Sequence, residues 1–409
     1  VETDAPMISG QLKIISVANQ KGGVGKTTSS VNFAASLAAA GHKTLLIDLD
    51  PQGNASSGLG VDRYASSTIY DVLIGRTELT QSIQKSVLDD LYVIPANQNL
   101  IGAEVELINA ISRERKLKTA LKKLPEDFRF VVFDCPPSLG LLTINAFTAS
   151  HSLLIPIQCE YYAMEGLGQL LNTFQIVKED LNQDLRIEGI VLTMYDPRNK
   201  LTHEVVKEMR THFPNELYET HVPRNVKLSE APSFGKPVLL YDWDSKGCQA
   251  YLQLAGEFLK RNSLPEPNWK LIQKKYLPLV EQEAVEVVAA EQAPTEMIAL
   301  EQAPTEMIAL EQAPGEHEQM DLAPVELELS SLDLSGAAPN LSEAGEDGRA
   351  SFITQQVEFF DKSLDLNETK EPELVELSSQ ANEGQVLEPI DQAPALQITE
   401  ELSAQELRN

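Results

Sequence analysis

One junction constrains this chain more than any other. A short apolar run, KIISVAN (Lys13–Asn19), leads straight into Gln20-Lys21-Gly22-Gly23-Val24-Gly25-Lys26-Thr27-Thr28, and helical periodicity follows over Thr27–Ala40, closed by Gly41. A strand, a glycine-rich loop and a helix in that order form a phosphate cradle. Glycines let backbone N–H groups turn into one concavity, and the helix N-terminus adds positive potential. Lys26 is expected to reach the β- and γ-phosphates, and the Thr27 hydroxyl to sit on Mg2+.

The rest of the first 260 residues repeats the alternation. KTLLIDLD (Lys43–Asp50), LYVIPA (Leu91–Ala96), FRFVVFD (Phe128–Asp134), HSLLIPI (His151–Ile157) and IEGIVLTMY (Ile187–Tyr195) read as further strands. Their apolar residues are nearly continuous, as in parallel strands covered on both faces. Helical patterns lie between them, at Gln169–Glu179 and His203–His212 among others. The expected fold class is α/β, a doubly wound and mostly parallel sheet with right-handed crossovers. Residues 11–264 are read as this domain, preceded by a flexible stretch at 1–10. That length is ample for one large core.

Charge divides the chain further. Its 409 residues carry 61 acids against 33 bases, a net of −28, yet residues 281–409 alone hold 30 acids and 4 bases. The first 280 residues are therefore close to neutral, at −2. Residues 265–284 read as a proline-punctuated connector with one short helix. Beyond them a decamer, EQAPTEMIAL, occurs at 291–300 and again at 301–310, with EQAP, DLAP and DQAP echoes later. High charge, few aromatics and recurrent proline cannot offset ordering entropy, so 285–409 is expected to be mostly disordered. No run of about 18 uncharged apolar residues is present, so no membrane-spanning helix is expected. The N-terminal residues show no secretory pattern. Cys135, Cys159 and Cys248 are widely spaced without a CxxC, which fits a reduced cytoplasmic protein rather than a disulfide or zinc scaffold. Cys135 is read as a core filler.

Two acidic sites accompany the loop. Asp48 and Asp50 stand at the end of the second strand, where open α/β sheets bind ligands, and Asp134 ends the apolar strand of FVVFDCPPSLG. Hydrolysis needs a group that orients or deprotonates the attacking water.

The loop departs from the standard form: Gln20 occupies the first glycine position, and a second lysine, Lys21, follows it. KGGVGKTT resembles the deviant Walker A motif of the ParA/MinD class of P-loop ATPases. That resemblance implies ATP and Mg2+ as ligands, bound by Lys21, Gly22, Gly23, Val24, Gly25, Lys26, Thr27 and Thr28. It also implies that Lys21 reaches across a dimer interface to the phosphates held by the other subunit, a catalytic role shared with Lys26 and Asp50. Asp50 would orient water. Thr27 would ligate the metal, Asp134 would hold it through water, Asp48 would lie in its outer shell, and Gly140 would belong to the γ-phosphate-sensing turn.

Further segments narrow the resemblance. PIQCEYY (Pro156–Tyr162), MEGL (Met164–Leu167), LTMYDPRN (Leu192–Asn199) and HVPRNVKLSEAPSFGKPV (His221–Val238) are similar, in order, to chromosomal ParA (Soj) proteins. The similarity covers about Lys13 to Leu259. It implies an ATP-hydrolysing partition protein that forms an ATP-sandwiched homodimer, binds double-stranded DNA without sequence preference and rides the nucleoid. A ParB-like centromere-binding protein would stimulate hydrolysis and release it. Arg198 and Lys227 map onto the DNA-contacting positions, and Pro223 and Asn225 onto positions beside adenine. Lys227 stands where arginine is better known, so it would meet phosphate as a point charge. A near-neutral body binds polyanions weakly as a monomer, and dimerisation would double its basic set.

The acidic tail extends past the resemblance; it would serve as a solubilising, dispensable extension, compete with DNA for the basic face, or dock an additional partner. The alternative reading is a MinD-like or cargo-positioning ATPase working on a membrane or a protein assembly. A membrane-bound form would need a basic amphipathic helix, whereas this tail is acidic. An Fe–S electron carrier would need suitably placed cysteines, and a non-enzymatic scaffold would have no use for Lys21, Lys26 and Asp50 together.

Overall fold

The computed structural model describes residues 11–160 and 163–276, without the side chains of 163–165. The stretches expected at 1–10 and 285–409, with both decamers, lie outside the described residues, as do Tyr161 and Tyr162.

Seven strands form one sheet: β1 (Lys13–Val17), β2 (Thr44–Asp48), β3 (Gln84–Lys85), β4 (Leu91–Ile94), β5 (Phe130–Asp134), β6 (Ser152–Gln158) and β7 (Arg186–Thr193). Their order is β3-β4-β2-β5-β1-β6-β7. Every pairing is parallel except β3 with β4. The six apolar runs thus become the six parallel strands. The seventh, β3, was not expected, because two polar residues on a sheet edge leave no periodic signal.

Successive residues of the central strands feed opposite cores. Leu45, Ile47, Val131, Phe133, Leu153 and Ile155 face one, while Leu46, Val132 and Leu154 face the other. That two-sided burial explains why the runs are continuous rather than alternating. The longer helices are α1 (Lys26–Ala39), α2 (Leu141–Ala149), α3 (Ala163–Asp180), α4 (Lys200–His212) and α5 (Lys246–Arg261). Helices α1 and α5 pack together on the second core, where Phe33 meets Phe258 edge-on at 5.0 Å. Gly41 ends α1 at a φ of 88°, a left-handed position that favours glycine. No helix among the described residues is long and apolar enough to cross a membrane.

The order also locates the site. From β1 the chain moves outward to β2 and β4, returns to β5, and then crosses to β6 and β7 on the other side. β1 is therefore the switch point, and the crevice beyond its carboxyl end is where such sheets take ligands.

Two features depart from a plain reading of the runs. Residues 269–276 form the short helix of the connector, but it is docked: Tyr276 is 1% exposed, with Leu264, Trp269 and Ile272 packed beside it. Lys13, inside an apolar run, is buried against the equally buried Glu188 of β7 at 2.6 Å. Ser152 Oγ and Asn262 Nδ2 donate to the same carboxylate at 2.6 and 2.8 Å. Burial would raise the Glu188 carboxyl, but Lys13 and these donors hold it below its ordinary value. Such a pair is retained only when every partner is satisfied, because a lone buried charge is strongly destabilising.

Candidate nucleotide site

The loop between β1 and α1 is open on its concave side. Gly23 and Gly25 adopt φ of 76° and 87°, and a Cβ on Gly22 or Gly23 would meet nothing within 4 Å. Its outer wall is pinned, since Thr193 Oγ1 at the end of β7 donates to the Val24 carbonyl at 2.8 Å. Asn19, 3% exposed, ties the start of the loop to β6. Its Nδ2 donates to the Pro156 carbonyl at 2.8 Å, and its Oδ1 accepts the Lys21 N–H at 2.9 Å. The rigid cradle thus depends on residues outside the motif.

The two lysines part company. Lys26 is 7% exposed, and its Nζ donates to the Lys21 carbonyl at 2.9 Å, curled into the loop. Burial pulls its ammonium below the ordinary value, while Asp134 and Asp50 oppose that effect. Lys21 instead sits at the rim, its Nζ 2.6 Å from the Glu160 carboxylate with a third of its side chain exposed. Gln158 Nε2 donates to the same carboxyl group. In the sequence Glu160 is one residue of PIQCEYY with nothing to mark it; no local pattern reveals a pair formed between the β1 loop and the end of β6.

Three carboxylates converge opposite the loop. Asp48 and Asp134 are paired residues of adjacent strands β2 and β5, and both are fully buried. Asp48 is fully engaged: Oδ1 accepts the Asp50 N–H at 3.1 Å, and Oδ2 accepts Ser56 N–H and Oγ at 2.9 and 2.7 Å. Asp134 Oδ1 accepts from Ser30 Oγ at 2.8 Å, while Oδ2 has no partner among the described residues. Burial raises both carboxyls, and their mutual repulsion adds to the rise at Asp134. The Ser30 bond and the neighbouring Thr27 hydroxyl offset part of that rise. A buried acid with an orphaned oxygen beside a threonine hydroxyl suits a hydrated divalent cation, which removes the cost of both charges. Asp50 is half-buried, near enough to act electrostatically on Lys26 and Asp134. Ser30 and Ser56 were missed from sequence; Ser30 lies three residues beyond Thr27, one helical turn along the same face.

Thr28 lies half-buried in the first turn of α1, and Gly140 caps α2. On the far side, Tyr195 bridges Pro223, which brings the DPRN and HVPRN segments together. Asn225 Oδ1 accepts the Lys227 N–H at 3.0 Å as a helix cap. Arg198 is 88% exposed and pairs with Asp196 at 2.8 Å, holding that carboxyl down to about 2. Lys227 pairs with Glu230 at 3.0 Å. Cys135, Cys159 and Cys248 are free and buried, and burial pushes all three thiols up, Cys159 to about 11.

A family model described as an AAA domain matches residues 12–187. The chromosome partitioning protein ParA of Myxococcus xanthus is 52% identical over 256 residues, covering 62% of this chain and 90% of that protein. The sporulation initiation inhibitor protein Soj of Bacillus subtilis is 53% identical over 246 residues, covering 60% and 97%. The chain belongs to the ParA/Soj family. Among solved structures, cobyrinic acid a,c-diamide synthase from Mycobacterium smegmatis, with an ATP analogue and magnesium bound, is 35% identical. It superposes with a TM-score of 0.55 over 63% of this chain and 98% of its own. The septum site-determining protein MinD of Pyrococcus horikoshii, complexed with Mg-ADP, follows at 27% identity and 0.51 over 60% and 96%. The open glycine cradle and the orphaned Asp134 oxygen fit a nucleotide with Mg2+ of the kind bound in those two structures. In such a site Mg2+ neutralises charge on the phosphates.

Proposed function

We propose that this partition ATPase is a two-state switch: ATP closes two copies face to face, the closed pair holds DNA, and hydrolysis releases it. Residues 11–264 form the switch and 285–409 an appended acidic segment. The observation that carries the reading is the division of labour between the lysines. Lys26 is committed to its own loop, whereas Lys21 stands at the rim on a carboxylate that it can leave. An exposed ion pair is worth only about 0–1 kcal/mol, so a phosphate offered by a second copy can displace Glu160.

The same arithmetic applies to DNA. Arg198 and Lys227 are each paired to a neighbouring carboxylate. One copy therefore offers little to a duplex, while two copies on one face offer twice the contacts without new chemistry. A ParB-like protein would act by accelerating hydrolysis in the closed pair, and nucleoid association would follow from DNA binding. Sedimentation of Asp50→Ala tests the first step. The reading requires a dimer with Mg-ATP and a monomer with Mg-ADP. Equal mass in both states would sink it.

A further inference from the structure

The body of the protein carries an apolar stripe with nothing over it among the described residues. Ile101 and Val105 lie one turn apart on the helix Leu100–Glu106, and Ile108 and Ile111 continue beyond its end. They are 57%, 67%, 55% and 89% exposed, although Leu100, Ala103 and Leu107 of the same segment are buried. Four exposed branched residues in sequence along one segment form the kind of patch that soluble proteins ordinarily cover. The stripe then runs into the most basic stretch of the chain. Residues 113–123 hold Arg113, Arg115, Lys116, Lys118, Lys122 and Lys123 against one acid, Glu114. Arg113 Nη1 donates to the Ile108 carbonyl at 2.8 Å, fixing the basic segment to the end of the stripe.

The chain contains a segment of matching chemistry. Each decamer, 291–300 and 301–310, places two glutamates ahead of Met-Ile-Ala-Leu, and the tail to which they belong has a net charge of −26. We infer that the tandem decamers are the occupant of the Ile101–Ile111 stripe, with their apolar ends on the stripe and their glutamates toward the 113–123 bases. Reach is sufficient. The described body ends at Tyr276, whose neighbour Lys275 lies 3.6 Å from Asp89, just before β4, and the stripe follows that same strand. The fourteen residues from 277 to 290 span up to about 50 Å when extended. Tethering of this kind gives an effective concentration in the millimolar range, so a segment with a Kd of about 0.1 mM would be bound about nine-tenths of the time. Two copies of the decamer raise that occupancy further.

The position gives the docked segment a consequence. Glu104 lies between Ile101 and Val105 in the same helix, and its Oε1 stands 2.7 Å from where a Cβ on Gly140 would be. Gly140 begins α2 directly after the β5 carboxylate loop. A ligand on this helix therefore bears on the turn beside the nucleotide.

The test is hydrogen exchange on the nucleotide-free full chain, compared with a chain lacking only 291–310. Amides of 101–111 should exchange about tenfold faster in the deletion, and adding a peptide of the two decamers should restore protection where a scrambled peptide does not. Ile111→Asp and the pair Arg115→Glu, Lys118→Glu alter exposed side chains, so they should mimic the deletion without loss of thermal stability. Identical exchange in both chains overturns the inference. Protection that appears only on adding ATP would give the stripe to a second copy, and protection only on adding duplex DNA would give it to nucleic acid. Both outcomes count against the decamers. None depends on the switch being correct, and failure of the switch would show in sedimentation and leave this comparison intact.

Discussion

Lys21→Ala should bind Mg-ATP within a few-fold of the parent yet turn it over about 10³–10⁵ times more slowly, the range for a trans-acting cation at a transferring phosphoryl group. Binding should survive because Lys21 is not what holds the cradle. The loop is pinned by Asn19 and Thr193, and Lys26 supplies its inner charge. Turnover should fall because charge accumulates on the phosphoryl oxygens only as the reaction proceeds, where a mobile cation from the rim can follow it. Single-turnover hydrolysis beside an equilibrium nucleotide titration separates the two effects. A loss confined to affinity would make Lys21 an ordinary binding lysine.

Asp50→Ala is the second large effect. Its turnover should drop about 10²–10⁴-fold, the usual worth of a positioned general base, with ATP still bound. Asp50 suits that work better than its neighbours. Asp48 spends both oxygens on Asp50 and Ser56 donors, and Asp134 is sealed at the floor of the site. Asp50 is half-buried, fixed by the Gln52 N–H at 3.0 Å on one oxygen. Asp48→Asn should act differently, loosening the turn that carries Asp50 and lowering stability along with rate. If Asp50→Ala hydrolysed normally, the water-orienting role would have to move elsewhere.

What was legible in the sequence follows from how local each signal is. Strands buried on both faces write themselves as apolar runs, so all six parallel strands were readable, and the loop chemistry is contiguous in the chain. Contacts between distant strands are not written locally. Lys13 interrupts an apolar run with a charge that makes sense only beside Glu188, Ser152 and Asn262. Glu160 acquires meaning only when the end of β6 meets the β1 loop. Ser30 and Ser56 hold the two buried carboxylates but are small residues just beyond the motifs, and nothing in their own type marks them. Nor does position in the chain tell what else a side chain touches. Arg198 and Lys227, expected at DNA-contacting positions, each lie against a carboxylate from their own turn, and Asn225, expected beside adenine, also caps a helix with its side-chain oxygen. The connector at 265–284 looked like a spacer because prolines dominate it, while Tyr276 secures its described end to the core.

The measurement closest to the central claim is fluorescence anisotropy of random-sequence duplex DNA with the Asp50→Ala protein in no nucleotide, ADP and ATP. Binding should appear only with Mg-ATP and be weakened steeply by salt, as phosphate contacts release counterions. Arg198→Ala should weaken it further and flatten the salt slope. Binding of equal strength in all three states, or none in any state from a protein that does dimerise on ATP, would contradict a nucleotide switch acting through DNA.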